Sequence, residues 1–146
     1  YTGPFTNIGP LPPRIEQDTT YTVVWTVRNA SNNISNAEVK TTLPIYVKWL
    51  GSVSPSGESI SYDDSSNIVT WNVGRIPAGG TREAAFQVLF TPSLSQIQQS
   101  PTIIGESTLT ATDDFTKTTV GDKRTQLSTL LSSDTPYRVA EGSVVE

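Results

Sequence analysis

The sequence contains no cysteine, no histidine and no methionine in 146 residues. Without cysteine there is no disulfide, thiolate nucleophile, zinc–thiolate site or iron–sulfur cluster. Without histidine the commonest general base near neutral pH and the commonest metal ligand are both missing. The chain opens on Tyr1 rather than methionine, which reads as a processed end or a fragment boundary. Charge is also sparse, at 16% of residues, with a net charge of −4 and a pI near 4.7. The few basic residues form no stripe, which argues against nucleic-acid partners and against an anionic membrane surface. No apolar run approaches the roughly 18 residues needed to span a bilayer, and no signal-peptide pattern is present. A signal or anchor of an exported protein would lie outside this segment, and the redox compartment stays open.

What is abundant is hydroxyl: Ser and Thr make up 38 of the 146 residues. Thr suits an exposed pleat, while the 3 Trp, 5 Tyr and 4 Phe supply large buried areas, so the composition points to a folded β protein. The first thirteen residues include Pro4, Pro10, Pro12 and Pro13 and favour extended backbone with few ladder donors. Residues 1–18 are therefore expected to form an extended lead-in: either a linker or an edge strand paired through Phe5 and Ile8.

From Thr19 the hydrophobic period is two. Tyr21, Val23, Trp25 and Val27 fall on one face and Thr20, Thr22, Thr26 and Arg28 on the other. A turn at residues 29–33 precedes a second strand carrying Ala37, Val39, Thr41 and Leu43, which Pro44 stops. Val47 and Trp49 mark a third strand, closed by a turn-rich stretch at 52–59. Ile60 and Tyr62 make a short segment before a hairpin loop at 63–67. Val69, Trp71 and Val73 follow, and then Ala84, Phe86, Val88 and Phe90. Residues 93–100 read as a loop or a single helical turn. Further strands are expected at 103–111 with Leu109 inward, at 115–120 after an Asp113-Asp114 turn, and at 124–131 with Leu127 and Leu131 on one face. Seven to nine short strands with regular turns predict an all-β antiparallel sandwich over residues 19–131.

The segments YTVVWTVRN (21–29), NAEVKTTLP (36–44), VTWNVG (69–74) and IPAGG (76–80) carry a resemblance. Together with the strand AAFQVLF (84–90), they resemble the immunoglobulin-like "conserved repeat" domains of bacterial and archaeal surface proteins; SLSQ (93–96) fits a longer variant of that family. The resemblance implies an immunoglobulin-like, Greek-key sandwich without a disulfide, exported to the cell envelope and flanked by other domains. It implies no activity, because the matching residues are core and turn positions.

The residues themselves offer little chemistry. There is no G-x-S-x-G elbow or S-x-x-K pair, and the GSVSPSG run at 51–57 reads as a turn between strands. No catalytic residue and no organic cofactor are expected. The acidic pairs Asp63, Asp64 and Asp113, Asp114 read as hairpin turns, with calcium at one end of the sandwich as the alternative. Asn29-Ala-Ser31 and Asn33-Ile-Ser35 are glycosylation sequons placed in an exposed loop. Lys40 and Lys48, with Glu106 as partner acid, are the candidates for an isopeptide crosslink. Both lysines alternate onto polar faces, which favours ordinary exposed side chains. Tyr46, Trp49 and Tyr62 are the aromatics that a carbohydrate-binding module would use, although Trp49 shares a face with Val47. Residues 139–145 are short and β-prone, so 132–146 form a linker or an exchanged strand.

Three functions follow. The first is a non-catalytic spacer, display or adhesion module of an extracellular surface protein. The second is a fibre or pilus subunit assembled by exchange of a terminal strand, and the third is a carbohydrate-binding module. The expected partners are neighbouring domains or identical subunits through sheet edges, or a surface glycan or protein.

Overall fold

The computed structural model describes residues 3–131 and 142–146. Two antiparallel sheets pack face to face. The smaller has the order β1-β6-β3, from β1 (Thr19–Arg28), β3 (Val47–Ser54) and β6 (Thr81–Phe90). The larger has the order β4-β5-β2-β8-β9, from β2 (Ile34–Thr42), β4 (Ser59–Asp63), β5 (Ile68–Ile76), β8 (Ser107–Asp113) and β9 (Thr119–Arg124). A minor ladder joins β7 (Thr102–Ile104) to β10 (Leu127–Ser128). Eight strands thus form the two sheets of an all-β, immunoglobulin-like sandwich, and successive strands repeatedly cross between sheets.

The period-two pattern becomes the core directly. Tyr21, Val23, Trp25 and Val27 of β1 are all buried, facing Val39, Val69, Trp71 and Val73 of the larger sheet. Phe86, Val88 and Phe90 complete the middle, each fully buried. The Trp25 and Trp71 rings lie parallel, with centroids 6.3 Å apart and planes 9° from each other, and Phe86 meets Trp25 edge-on at 5.0 Å.

Burying an indole requires a partner for its N–H. Trp25 Nε1 donates to Ser107 Oγ at 3.1 Å, and Trp71 Nε1 donates to Glu58 Oε2 at 2.9 Å. Glu58 also accepts from Arg82 on β6, at 2.6 and 3.2 Å. The Glu58 side chain, only 11% exposed, therefore ties the β3–β4 turn to both sheets. Burial alone would push its carboxyl up, but the hydrogen bonds from Arg82 and Trp71, with the Arg82 charge, outweigh that and hold it below its ordinary value.

Several elements differ from their sequence reading, each for a local reason. The strand expected at 103–111 is broken at Gly105: its N–H donates to the Thr42 carbonyl and its own carbonyl accepts from Thr41 Oγ1, which moves the chain from β10 to β2. The next strand starts at Thr119, not Phe115. Asp113 Oδ1 accepts from the N–H groups of Phe115 and Thr116, which curls the chain into a longer turn and leaves Phe115 83% exposed. The strand expected over 124–131 shrinks to two paired residues. Leu127 is exposed, and Thr129 is buried in its place. The third strand runs on to Ser54 through a register shift between Trp49 and Val53, where Gly51 takes φ +81°.

The lead-in forms no strand over residues 3–13. Ile8 makes one ladder-like contact, its carbonyl accepting from Thr20 N–H at 2.9 Å, while its side chain stays exposed. Asn7 Oδ1 accepts from Thr22 Oγ1 and Gln87 Nε2, so this segment lies on the outer face of the smaller sheet. Gly9 permits the approach: a Cβ there would stand 2.2 Å from the Asp18 carbonyl oxygen.

A carboxylate with a lowered folded pKa adds stability above its ordinary value and loses it as pH falls through the lowered one. Glu58→Gln is therefore expected to cost about 1–3 kcal/mol at pH 7, the usual worth of buried hydrogen bonds to a charged group. The cost should shrink clearly near pH 3. Urea unfolding at the two pH values checks this, and an equal cost at both would contradict the ionic role.

Candidate functional site

The described residues beyond Leu131 return to the end of the sandwich where β1 begins. There residues 144–145 are extended between two segments and make one isolated parallel bridge to each, from Arg14 to Val145 and from Ile97 to Val144. Val144 N–H donates to the Gln99 carbonyl at 2.9 Å, and its carbonyl accepts from Gln98 N–H at 2.8 Å. On the other side Val145 N–H donates to the Pro13 carbonyl at 2.9 Å, and its carbonyl accepts from Ile15 N–H at 3.0 Å. Thr129 Oγ1 donates to the Gly142 carbonyl.

The Val144 side chain is fully buried within the main core, a burial worth roughly 1.5–3 kcal/mol for a valine. Local sequence could not reveal this seat. Gly142 and the flanking glutamates weaken any strand signal, and the seat is assembled from segments about 130, 45 and 15 residues away in sequence, a separation no periodicity test registers.

The acidic pairs lie at opposite ends of the larger sheet. Asp63 pairs with Ile68 at the start of β5, whereas Asp113 sits beside Ile34, which pairs with Ile76 at the end of β5. Asp63 Oδ1 accepts from Ser65 N–H and Ser65 Oγ, at 2.9 and 2.7 Å, which holds its carboxyl below the usual range. Asp113 is held low as well, first by the Thr116 N–H and then, against the opposing effect of burial, by Asn32 and Phe115. Asp114 accepts from Ser35 Oγ and faces Arg75 at 3.9 Å, while Asp64 is exposed. Among the described residues no group of three or more acidic side chains is gathered as a cation would need.

The sequon reading needs one correction. Asn29 is buried, not exposed, and its Nδ2 donates to the carbonyls of Asn32, Ile76 and Pro77, so the atom that would carry a glycan is inside the turn. Asn29 serves as a pin between the β1–β2 and β5–β6 turns. Asn33 is half-buried and accepts from Ala78 N–H at 2.8 Å.

Lys40 and Lys48 are exposed. Lys40 pairs with Glu38 at 3.1 Å, and Glu106 pairs with Lys123 at 3.7 Å rather than with either candidate lysine. The three candidate aromatics are half-buried. Trp49 stacks on Tyr62 at 5.9 Å and leans on Phe86, while Tyr46 meets Phe90 edge-on. The Tyr46 and Tyr62 hydroxyls donate to the Thr102 carbonyl and to Asn67 Oδ1, both at 2.8 Å.

No protein-family model matches the chain, and no curated protein matches it. Among solved structures it is similar to domains D2 and D3 of the major pilin SpaD from Corynebacterium diphtheriae. That match has a TM-score of 0.50 and 11% identity over 79% of this chain and 47% of that one. The full-length major pilin SpaD matches with the same score and identity, over 79% of this chain and 31% of the pilin. The chain spans less than half of either structure, and at this identity the likeness is one of fold.

If residues 142–146 belong to the fold, Val144→Ala should lower unfolding stability by about 2 kcal/mol, from two lost methyl groups and the space they leave. Urea denaturation measures it; an unchanged midpoint would contradict the seat.

Proposed function

We propose that this chain is a non-catalytic structural module of an extracellular, cell-surface fibre, and that copies join by exchanging the segment 142–146. The observation that carries this reading is the seat of Val144 and Val145, hydrogen-bonded on both flanks by backbone far away in sequence. A strand held this way makes the same contacts whether it comes from its own chain or from a neighbour, so exchange costs association entropy and little else. Ten residues separate Leu131 from Gly142. Ten residues can reach at most about 35 Å, comparable to the size of such a domain.

The similarity to domains of a major pilin supports a fibre and a place on the cell surface, since those proteins are named as pilus subunits. The arrangement of polar side chains supports a non-catalytic role: Asp63 and Asp113 cap turns, Glu38, Glu58, Glu106 and Asp114 pair with neighbouring cations, and the buried indole N–H groups of Trp25 and Trp71 have partners. A spacer or display module would use the same sandwich without exchange. A carbohydrate-binding module would need a free aromatic face, and Tyr46, Trp49 and Tyr62 have theirs turned to other rings or half-buried.

The test is sedimentation velocity after refolding at increasing protein concentration. The full chain should give dimers and longer species that persist on dilution, whereas a chain ending at Glu141, shown folded by circular dichroism, should stay monomeric. A full chain that is monomeric at every concentration would remove strand exchange and favour the spacer.

A further inference from the structure

Each sheet has two edges, and three of the four are guarded in recognised ways. β4 is only five residues long and runs into Asp63 and Asp64. β9 is exposed throughout and carries Asp122, Lys123 and Arg124. β3 is interrupted by the register shift at Gly51. β1 has no such device. It pairs with β6 for ten residues in unbroken register, and from Thr22 to Val27 it contains no charge, proline, glycine or bulge.

The free side of β1 is fixed by one bond. Thr20 N–H points away from β6, to the Ile8 carbonyl. In an antiparallel strand the backbone groups of alternate residues point the same way. Those of Thr22, Val24, Thr26 and Arg28 therefore line the same side, and among the described residues no backbone group pairs with them.

Beneath this edge the two sheets are unequal in width. Trp49 of β3 sits over Tyr62 of β4, and Trp25 of β1 reaches Ser107 of β8, so the rest of β8 and all of β9 project past β1. The overhang shelters a cavity of about 380 Å³ floored by Trp25, Val39 and Leu109 and rimmed by Arg28, Asp122 and Arg124. With strands about 4.8 Å apart, the space beside β1 accepts one added strand, or two at most. A second sandwich could not enter edge-on, because its own larger sheet would meet β8 and β9. The overhang thus guards β1 against whole domains and leaves it open to a single extended segment. On the rim Arg124 is paired with Asp122 at 3.1 Å, whereas Arg28 has no ion pair among the described residues. The outer lip of the β1 edge therefore carries one unpaired positive charge, at Arg28.

We propose that the β1 edge and this slot form an acceptor for one extended segment of a partner protein. That segment has apolar side chains at alternate positions and a carboxylate set against Arg28. Backbone bonds to Thr22, Val24, Thr26 and Arg28 supply the pairing, and the Trp25–Val39–Leu109 floor takes the alternate side chains. This site is on a different edge from the tail seat and does not depend on strand exchange.

The test is a titration of ¹⁵N-labelled chain with the synthetic peptide acetyl-Thr-Val-Thr-Leu-Ser-Val-Glu-Thr-amide. Amide shifts are expected at Thr22, Val24, Thr26 and Arg28 and along β8 and β9. Arg28→Glu, or a peptide with Lys in place of Glu, should weaken binding about tenfold, as loss of a close charge pair does. Thr26→Pro removes an outward N–H while sparing the ladder to β6 and should abolish binding. If that variant loses its cooperative melt, Arg28→Glu and the Lys peptide carry the test. Absent shifts at millimolar peptide, shifts only around residues 13–15 and 97–99, or equal binding of the Lys peptide would each overturn the proposal. Shifts at the same β1 residues from raising protein concentration alone would put a second copy in the slot and overturn the choice of occupant.

Discussion

Two tryptophans from facing sheets, stacked in the centre of the sandwich, set the terms for the rest of the molecule. Each brings a large apolar surface and one N–H that burial would otherwise orphan. The indole of Trp25 reaches Ser107, which fixes the start of β8 beneath β1. The indole of Trp71 reaches Glu58, and Arg82 must then neutralise a carboxylate that is mostly buried. From these two bonds follow the position of the β3–β4 turn, the anchoring of β6 and the offset between sheets. That offset is what leaves β8 and β9 projecting as a shelf. Packing in the core and the open slot at the edge have the same cause.

The lack of reactive residue types fits this construction. A core built from Trp, Phe, Val, Ile and Leu holds without disulfide or thioether, and its polar groups are spent internally. Asn29 is the clearest case: a residue whose sequon suggests a modification site holds two turns together with three hydrogen bonds. Asp113 likewise uses its carboxylate to stop β8 and shape the turn that exposes Phe115. In the two interactions proposed above, chains would meet largely through backbone, at the seat of Val144 and at the free side of β1.

The alternation at Tyr21, Val23, Trp25 and Val27 and at Val69, Trp71 and Val73 made the strands and their inward faces legible, because burial on one face leaves a period of two in the sequence. The misreadings have a different origin. Ile103, Ile104 and Leu109 suggest one strand, but the Gly105 contacts with Thr41 and Thr42 divide it. Leu127 and Leu131 suggest a buried face; Leu131 does pack against the core, but Leu127 is exposed and the core beside it takes Thr129, which binds the Gly142 carbonyl. Glu58 gave no signal at all, since its value lies in partners 13 and 24 residues away. The tail reads as β-prone at 139–145, but the segments that seat it were unreadable for the same reason. Non-local contacts that involve one or two residues leave no periodicity.

Joining through residues 142–146 is the central claim, and contacts between chains test it most directly. Uniformly ¹³C,¹⁵N-labelled chain and unlabelled chain are refolded together at high concentration, and isotope-filtered NOE spectra are recorded on the associated species. Strand exchange predicts cross-peaks between Val144 or Val145 of one chain and Arg14, Ile15 or Ile97 of another. If these residues show contacts only within their own chain while association persists, copies are joined some other way and the claim fails.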